Sequence, residues 1–345
     1  MSDPHVRVAA GSANPVLLEV LRGETVESRH RGAAVVCDAR GTVVAAWGDI
    51  ARPIFPRSAI KPLQALPLVE SGAADRFGCG AEELALACAS HTGEPVHVDA
   101  VAAWLTRLGV GVEALECGAH APLDAAAAAA LLRRGTAPLA LHNNCSGKHA
   151  GMITTALALG ESVVGYVGAD HPVQRRVRQV LEEMSESDLA TAPAAIDGCS
   201  IPTIAMPLTA MARAMARFID PAGLPPARAA ACRRLAAAMA AHPVLVAGSG
   251  RLPSVAMAAA PGVVVKNGAE GVFCAALPEK GLGIALKIDD GARRAAEVAI
   301  AALLHHLGAF DAPGWRAVEA ALRTVLRNRN RRVVGAVRPA PGWPT

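Results

Sequence analysis

Aromatic side chains are nearly missing from this chain: five Phe, four Trp and one Tyr make up 3% of its 345 residues. A core without large rings has to be filled by small and branched aliphatic groups. Apolar residues at 52% and a mean hydropathy of +0.31 supply enough of them for a chain that folds alone. Excess charge is also small, at +4, which argues against a nucleic acid or an acidic membrane as a partner for the whole chain. Arg323, Arg327, Arg329, Arg331 and Arg332 form a local basic cluster, read as a solvated C-terminal segment. Met1–His5 shows no basic stretch leading into an apolar one, and no apolar run reaches the length of about 18 residues that a membrane span needs. The expectation is a cytoplasmic protein with no membrane partner. The eight cysteines are scattered and read as reduced thiols in the core.

Several familiar motifs are absent as well. No Gly-x-Gly-x-x-Gly opens a helix after a strand, Gly147-Lys148-His149 lacks the flanking residues of a phosphate loop, and neither His-Glu-x-x-His nor Cys-x-x-Cys occurs. These absences exclude the common dinucleotide, nucleotide and zinc-protease readings.

What is present falls into three blocks. Val- and Leu-rich runs at Pro15–Leu21, Gly32–Cys37 and Thr42–Trp47 read as strands, with Asp38–Gly41 as the turn of a hairpin. Helical composition then dominates: Ala81–Ala89, Pro95–Leu108, Leu123–Arg134, His171–Met184, Leu208–Phe218 and Ala227–Ala241. Short runs separated by Gly and Pro follow, at Ser254–Ala259, Gly262–Lys266, Gly271–Ala276 and Gly281–Ile288. They read as an antiparallel meander closed by a helix over Gly291–Leu307. Strands at both ends with helices between them predict an α+β fold, in which N- and C-terminal strands share one antiparallel sheet beside a helical lobe. The chain reads as a single domain over 1–345, with a sheet part at about 5–57 and 245–338 and a lobe at about 58–244.

Chemistry concentrates in a few polar stretches. Two prolines, Pro53 and Pro56, hold the chain extended ahead of Ser58. If Ser58 opens a helix, Lys61 lies one turn on, and a desolvated lysine is one of the few groups able to take a serine's proton. As a bare pattern, Ser-x-x-Lys also describes a helix cap followed by a solvated lysine. Ser90-His91 cannot pair as neighbours in an extended strand. Cys145 with His149 at i+4 fits a cysteine hydrolase if both share a helix face. Cys145, Lys148 and Cys199 could meet at a metal, although two thiols buried in polar turns read equally well. Lys266-Asn267-Gly268 closes a strand and could present a cation beside a nucleophile, where glycine lets substrate approach the backbone.

Taken together, Pro56–Gln64, Ser90–Glu94, Asn144–Met152, Asp197–Pro202 and Lys266–Gly271 closely resemble the type II, or rhizobial-type, L-asparaginases, over about residues 15 to 338. The resemblance implies a fold similar to serine β-lactamases and serine-dependent glutaminases, and hydrolysis of L-asparagine to L-aspartate and ammonia. It further implies two Ser-Lys tandems, Ser58 with Lys61 and Ser90 with Lys266, a zinc ion on Cys145, Lys148 and Cys199, and a homodimer. Ser58 is the favoured nucleophile. Arg251 is a candidate for the substrate's α-carboxylate, Glu270 or Asp197 for its α-ammonium, and His91 for a further substrate contact. Tyr166, the sole tyrosine, lies outside every motif, so the second Ser-Lys pair takes the proton-transfer role that a tyrosine has in related sites. A glutaminase or other small-amide amidohydrolase is the alternative on the same scaffold. A zinc-stabilised binding protein without activity is the alternative from another class.

Overall fold

The computed structural model describes residues 13–345. The N-terminal segment read above, and the start of the sheet part at 5, lie outside the described residues. The chain divides into two compact units. One holds the described chain up to Ala59, Met206–Asp220 and everything from Val255 onward; the other holds Ile60–Ala205 and Pro221–Ser254.

The first unit is built on an antiparallel sheet of eight strands: β1 (Val16–Arg22), β2 (Thr25–Asp38), β3 (Val43–Trp47), β4 (Val264–Asn267), β5 (Val272–Leu277), β6 (Leu282–Ile288), β7 (Val325–Arg327) and β8 (Val333–Pro339). Their order is β7-β8-β1-β2-β6-β5-β4, with β3 also on β2. The chain ends do share one sheet, as expected: β1 pairs with β8 and β2 with β6. β2 is the strand that joins the two halves. Its first part, Thr25–Arg31, pairs with β1; its second part, Gly32–Asp38, pairs with β6. Only the second part was visible as an apolar run. The polar first part, Thr25–Arg31, is largely exposed and carries no hydrophobic signal.

Two expectations change. Leu208–Ile219, placed in the lobe by its position between other helices, packs on β2, β5 and β6 instead. Gly283 on β6 makes this possible, because a Cβ there would stand 2.0 Å from the Ala212 carbonyl oxygen and 2.3 Å from the Ala216 nitrogen. Ser254–Ala259, expected as a strand, belongs to a helix over Leu252–Ala259. A short apolar run does not distinguish the two states. Pro253 in the first turn and the Ser254 hydroxyl, which donates to the Gly248 carbonyl at 2.7 Å, favour the helix. The structure also adds a helix at Ala312–Ala321 whose signals are plain in retrospect: Asp311 caps it by accepting from the Gly314 N–H at 2.7 Å, and Pro313 sits in its first turn. The arginine cluster at 323–332 includes β7 and the turn into β8, with Asn328 and Arg331 hydrogen-bonded across it.

The second unit is helical. At its centre lies Ser146–Ala158, buried at every position from Ser146 to Ala156. Ala81–Ala87, Pro95–Leu108, Ala73–Arg76, Leu66–Glu70 and Pro172–Ser185 pack around it. Its sequence of Ser, Gly, Ala and Thr lets neighbours approach closely, which suits a chain with so few aromatic rings. The helices around it begin where the sequence says they should. Asp124 accepts from the Ala127 N–H at 2.7 Å, and His171 caps the helix that carries Pro172 at its start. Among the described residues no helix is long and apolar enough to cross a membrane.

Candidate active site

Ser58 sits in a 3₁₀ turn, Arg57–Ile60, that runs directly into the short helix Lys61–Gln64. It occupies the second position of this turn rather than acting as a helix cap. In 3₁₀ geometry residues three apart come into line, so the Ser58–Lys61 spacing keeps its meaning. The residue before the serine is strained: Arg57 has φ 50, a left-handed conformation that a long side chain rarely adopts. Pro53–Ile54 is fixed upstream by pairing with Met206–Pro207. Downstream, the Ala59 N–H donates to the Pro56 carbonyl at 3.1 Å. Gly268 packs against this same turn. A Cβ on it would lie 2.8 Å from the Pro56 carbonyl oxygen and 3.2 Å from the Ala59 nitrogen. The Lys-Asn-Gly stretch is thereby brought to the backbone on either side of Ser58. Lys266 itself is fully buried at the end of β4, its Nζ donating to the Asn267 carbonyl at 2.8 Å.

The helical unit gathers the other motifs. Lys61 is 1% exposed, and its Nζ donates to the Ala89 carbonyl at 2.5 Å, the Asn144 carbonyl at 3.4 Å and Cys145 Sγ at 3.1 Å. The first of these acceptors belongs to the residue before Ser90. Ser90 is buried and held by its own N–H, which donates to the Val246 carbonyl at 2.8 Å. Lys148 Nζ donates to Cys199 Sγ at 3.0 Å. Cys145 and Cys199 interact electrostatically, which couples the two halves of this cluster. That interaction, with Lys61 and Lys148 opposing the effect of burial, holds the Cys145 thiol well below its ordinary value. The same interaction, with burial, pushes the Cys199 thiol up. Neighbouring Cys117 is raised to about 12, by burial first and then by the charge on Cys145. Burial would lower the Lys148 amine, but the charges on Cys145 and Cys199 outweigh it and the amine is raised.

The donor set can be judged on this chemistry. No group of three His, Cys, Asp or Glu suited to a metal occurs among the described residues. Two sulfurs and an amine do converge here, and they fit a soft divalent cation once Lys148 and Cys199 release their protons. Asp197 opens the turn that delivers Cys199. Its carboxylate accepts from the Gly198 N–H at 2.6 Å and its carbonyl from the Ser200 N–H at 2.8 Å.

His91 is completely buried with both ring nitrogens engaged: Nδ1 accepts from the Gly93 N–H at 3.1 Å, so Nε2 donates to Ser146 Oγ at 2.9 Å. This leaves no ring nitrogen for a ligand. It fixes the start of the central helix instead. Burial, then electrostatic interaction with His97 and Lys61, holds its imidazole well below the usual histidine range. His149 does not face Cys145. Its Nδ1 lies 2.6 Å from the Tyr166 hydroxyl, which itself accepts from the Glu116 N–H. The cysteine-hydrolase arrangement is therefore not formed, and Tyr166 is a buried partner of the motif rather than a bystander. Arg251 lies half-buried in the helical unit, whereas Glu270 is exposed in the sheet unit.

One residue went unnoticed in the sequence reading. Glu94 accepts from Thr92 Oγ1 at 2.5 Å, Ser249 N–H at 2.8 Å and Ser249 Oγ at 2.6 Å, tying Ser90–Glu94 to Gly248–Arg251. Burial would raise its carboxyl, but the hydrogen bonds from Ser249 and Thr92 hold it low. No local pattern signals a pairing across so many residues.

A search of curated proteins finds no match. Among solved structures, a β-lactamase from Mycobacterium bovis aligns at 15% identity, over 77% of this chain and 89% of that one, with a TM-score of 0.40. The model of the family described as L-asparaginase II matches residues 18–339, a span that takes in each of the polar stretches assembled above. On that match the chain belongs to the L-asparaginase II family, whose members are asparaginase-type amidohydrolases.

Proposed function

We propose that the protein is an L-asparaginase that converts L-asparagine to L-aspartate and ammonia through an acyl-enzyme on Ser58. The observation that carries this reading is the strained Arg57, which presents Ser58 three residues ahead of a buried lysine. In the proposed reaction Lys61, in its neutral amine form, takes the Ser58 proton and becomes the ammonium as Oγ bonds to the side-chain amide carbon. Backbone N–H groups near Ser58 stabilise the oxyanion. The C–N bond then breaks, ammonia leaves with a proton, and a serine ester remains. Water hydrolyses the ester while Ser90 and Lys266 relay protons, which restores Ser58.

The charged ends of the substrate have candidate partners in Arg251, Asp197 and Glu270, and His91 acts by fixing the motif beside Ser90. Cys145, Lys148 and Cys199 would hold a zinc ion. Bound there, it would supply positive charge and an open position for water or a substrate oxygen. The same reading makes the protein a cytoplasmic homodimer.

Ammonia release measured across asparagine, glutamine and small plain amides tests the proposal. Asparagine turnover well above the others supports it. Preference for glutamine would make the enzyme a glutaminase, a difference of one methylene that a pocket discriminates by about 1–3 kcal/mol. No release from any amide would favour a zinc-stabilised binding protein. Metal analysis, with the KM for asparagine measured before and after chelation, separates the two roles of zinc. An unchanged KM confines the ion to structure.

A further inference from the structure

The turn after Lys266 has an unusual backbone. Glu270 takes φ 54, a left-handed conformation that disfavours a non-glycine residue by on the order of 1 kcal/mol. Across from it, Gly291 has no side chain to crowd the carboxylate, since a Cβ there would stand 2.7 Å from Glu270 Oε2. Two separate stretches of chain are thus shaped around one acidic group.

Beside it is a cavity of about 170 Å³, lined by Asn267, Gly268, Glu270, Gly291 and Arg293 among others. That volume is below the range of about 300–1,000 Å³ typical of drug-sized ligands, so it suits a group of a few heavy atoms. Its lining carries both a carboxylate and a guanidinium. Arg293 donates from Nε to Glu297 Oε1 at 2.7 Å, which uses one of a guanidinium's five N–H donors. Gly268, on the same lining, is the residue packed against the backbone on either side of Ser58. All of these residues belong to the sheet unit.

We propose that this cavity is the subsite for the charged end of an α-amino amide, with Glu270 taking the α-ammonium and Arg293 the α-carboxylate. The inference rests on the asparaginase reading and adds what would make the substrate an amino acid rather than a plain amide. A group with one positive and one negative charge satisfies the two side chains together. A plain amide offers neither charge to these side chains, and lacking a charge-assisted hydrogen bond weakens binding on the order of 10–100-fold.

Two sets of measurements on the full chain test it. In the first, ammonia release is followed from L-asparagine, from β-alaninamide, which lacks the carboxylate, and from succinamate, which lacks the ammonium. Glu270→Gln should raise KM on the order of 10–100-fold for asparagine and β-alaninamide while leaving succinamate within about twofold, and Glu270→Asp should recover part of the loss. Arg293→Gln should affect asparagine and succinamate and spare β-alaninamide. In the second, calorimetry follows binding of L-aspartate and of succinate, which needs no turnover. Glu270→Gln should weaken aspartate and spare succinate. Losses equal across all ligands, or no loss, overturn the proposal. If the aspartate pattern appears but asparagine is not hydrolysed, the subsite stands and the asparaginase reading falls. If asparagine is hydrolysed and neither variant discriminates, the reverse holds.

Discussion

The two compact units bury different kinds of side chain. The sheet unit has a mostly apolar interior of Val, Ala, Leu and Ile that buries few polar side chains, Asn14, Glu19, His30 and Lys266, the last fully buried on a strand facing Cys274. The helical unit buries Lys61, Lys148, Ser90, His91, His97, His142, Asn143, Ser146 and His149 around one central helix. A lysine buried in a mostly apolar sheet costs desolvation that packing does not repay, which makes it a functional signal. A dense polar cluster is ambiguous, because each member is also a partner that its neighbours need. In the lobe, therefore, substitution should damage folding and chemistry together, whereas at Ser58 it should damage chemistry alone.

The sharpest test of that contrast is Ser58→Ala, made on a half-exposed turn of the sheet unit. Ammonia release should fall on the order of 10⁴-fold or more, with the unfolding midpoint almost unmoved. A near-normal rate would sink the assignment of the nucleophile, and a larger loss in Ser90→Ala would transfer it to Ser90.

Stability is the next comparison. Lys148→Met removes the cation beside Cys199 and leaves the charge on Cys145 less compensated, so denaturant unfolding should show a loss of about 3–5 kcal/mol. In the sheet unit, Gly283→Ala forces a methyl against helix backbone and should cost about 1–3 kcal/mol. If the glycine change proved the costlier, close packing in the sheet would outweigh the polar network in the lobe.

A smaller effect per group comes from pH. His91 and His97 stack with ring centroids 4.8 Å apart, and burial depresses both below the ordinary histidine value of 6.5. The unfolded chain then binds protons that the folded chain refuses. Their contribution is complete above pH 6.5 and is lost as pH falls below it, by about 1.4 kcal/mol per histidine for each pH unit until the folded value is reached. Thermal unfolding between pH 7.5 and 5 should follow this slope, and His97→Gln should flatten it. Glu94, held low by Ser249 and Thr92, adds its own loss only at more acidic pH.

Much of this was legible in the chain. Alternating apolar runs and turn residues marked most of the strands, caps and prolines marked the helix starts, and the ordered polar stretches marked the family. The failures share a cause. Leu208–Ile219 reads as a lobe helix because periodicity reports that a face is buried and says nothing about what covers it. Ser254–Ala259 misleads because short apolar runs are compatible with either state. Thr25–Arg31 stays silent because a polar strand held by backbone pairing leaves no hydrophobic trace.

The sequence by itself determined that Ser58 and Lys61 stand three residues apart on one helical segment, because covalent geometry carries that relation. It also determined the class of fold, since periodicity and turn chemistry are local. Only tertiary structure decided that Lys61 reaches Cys145, that Lys148 reaches Cys199, that Glu94 ties two distant motifs, and that Tyr166 meets His149. These pairings join residues 17 to 155 positions apart. Their strength comes from burial, which a string of residue types does not contain.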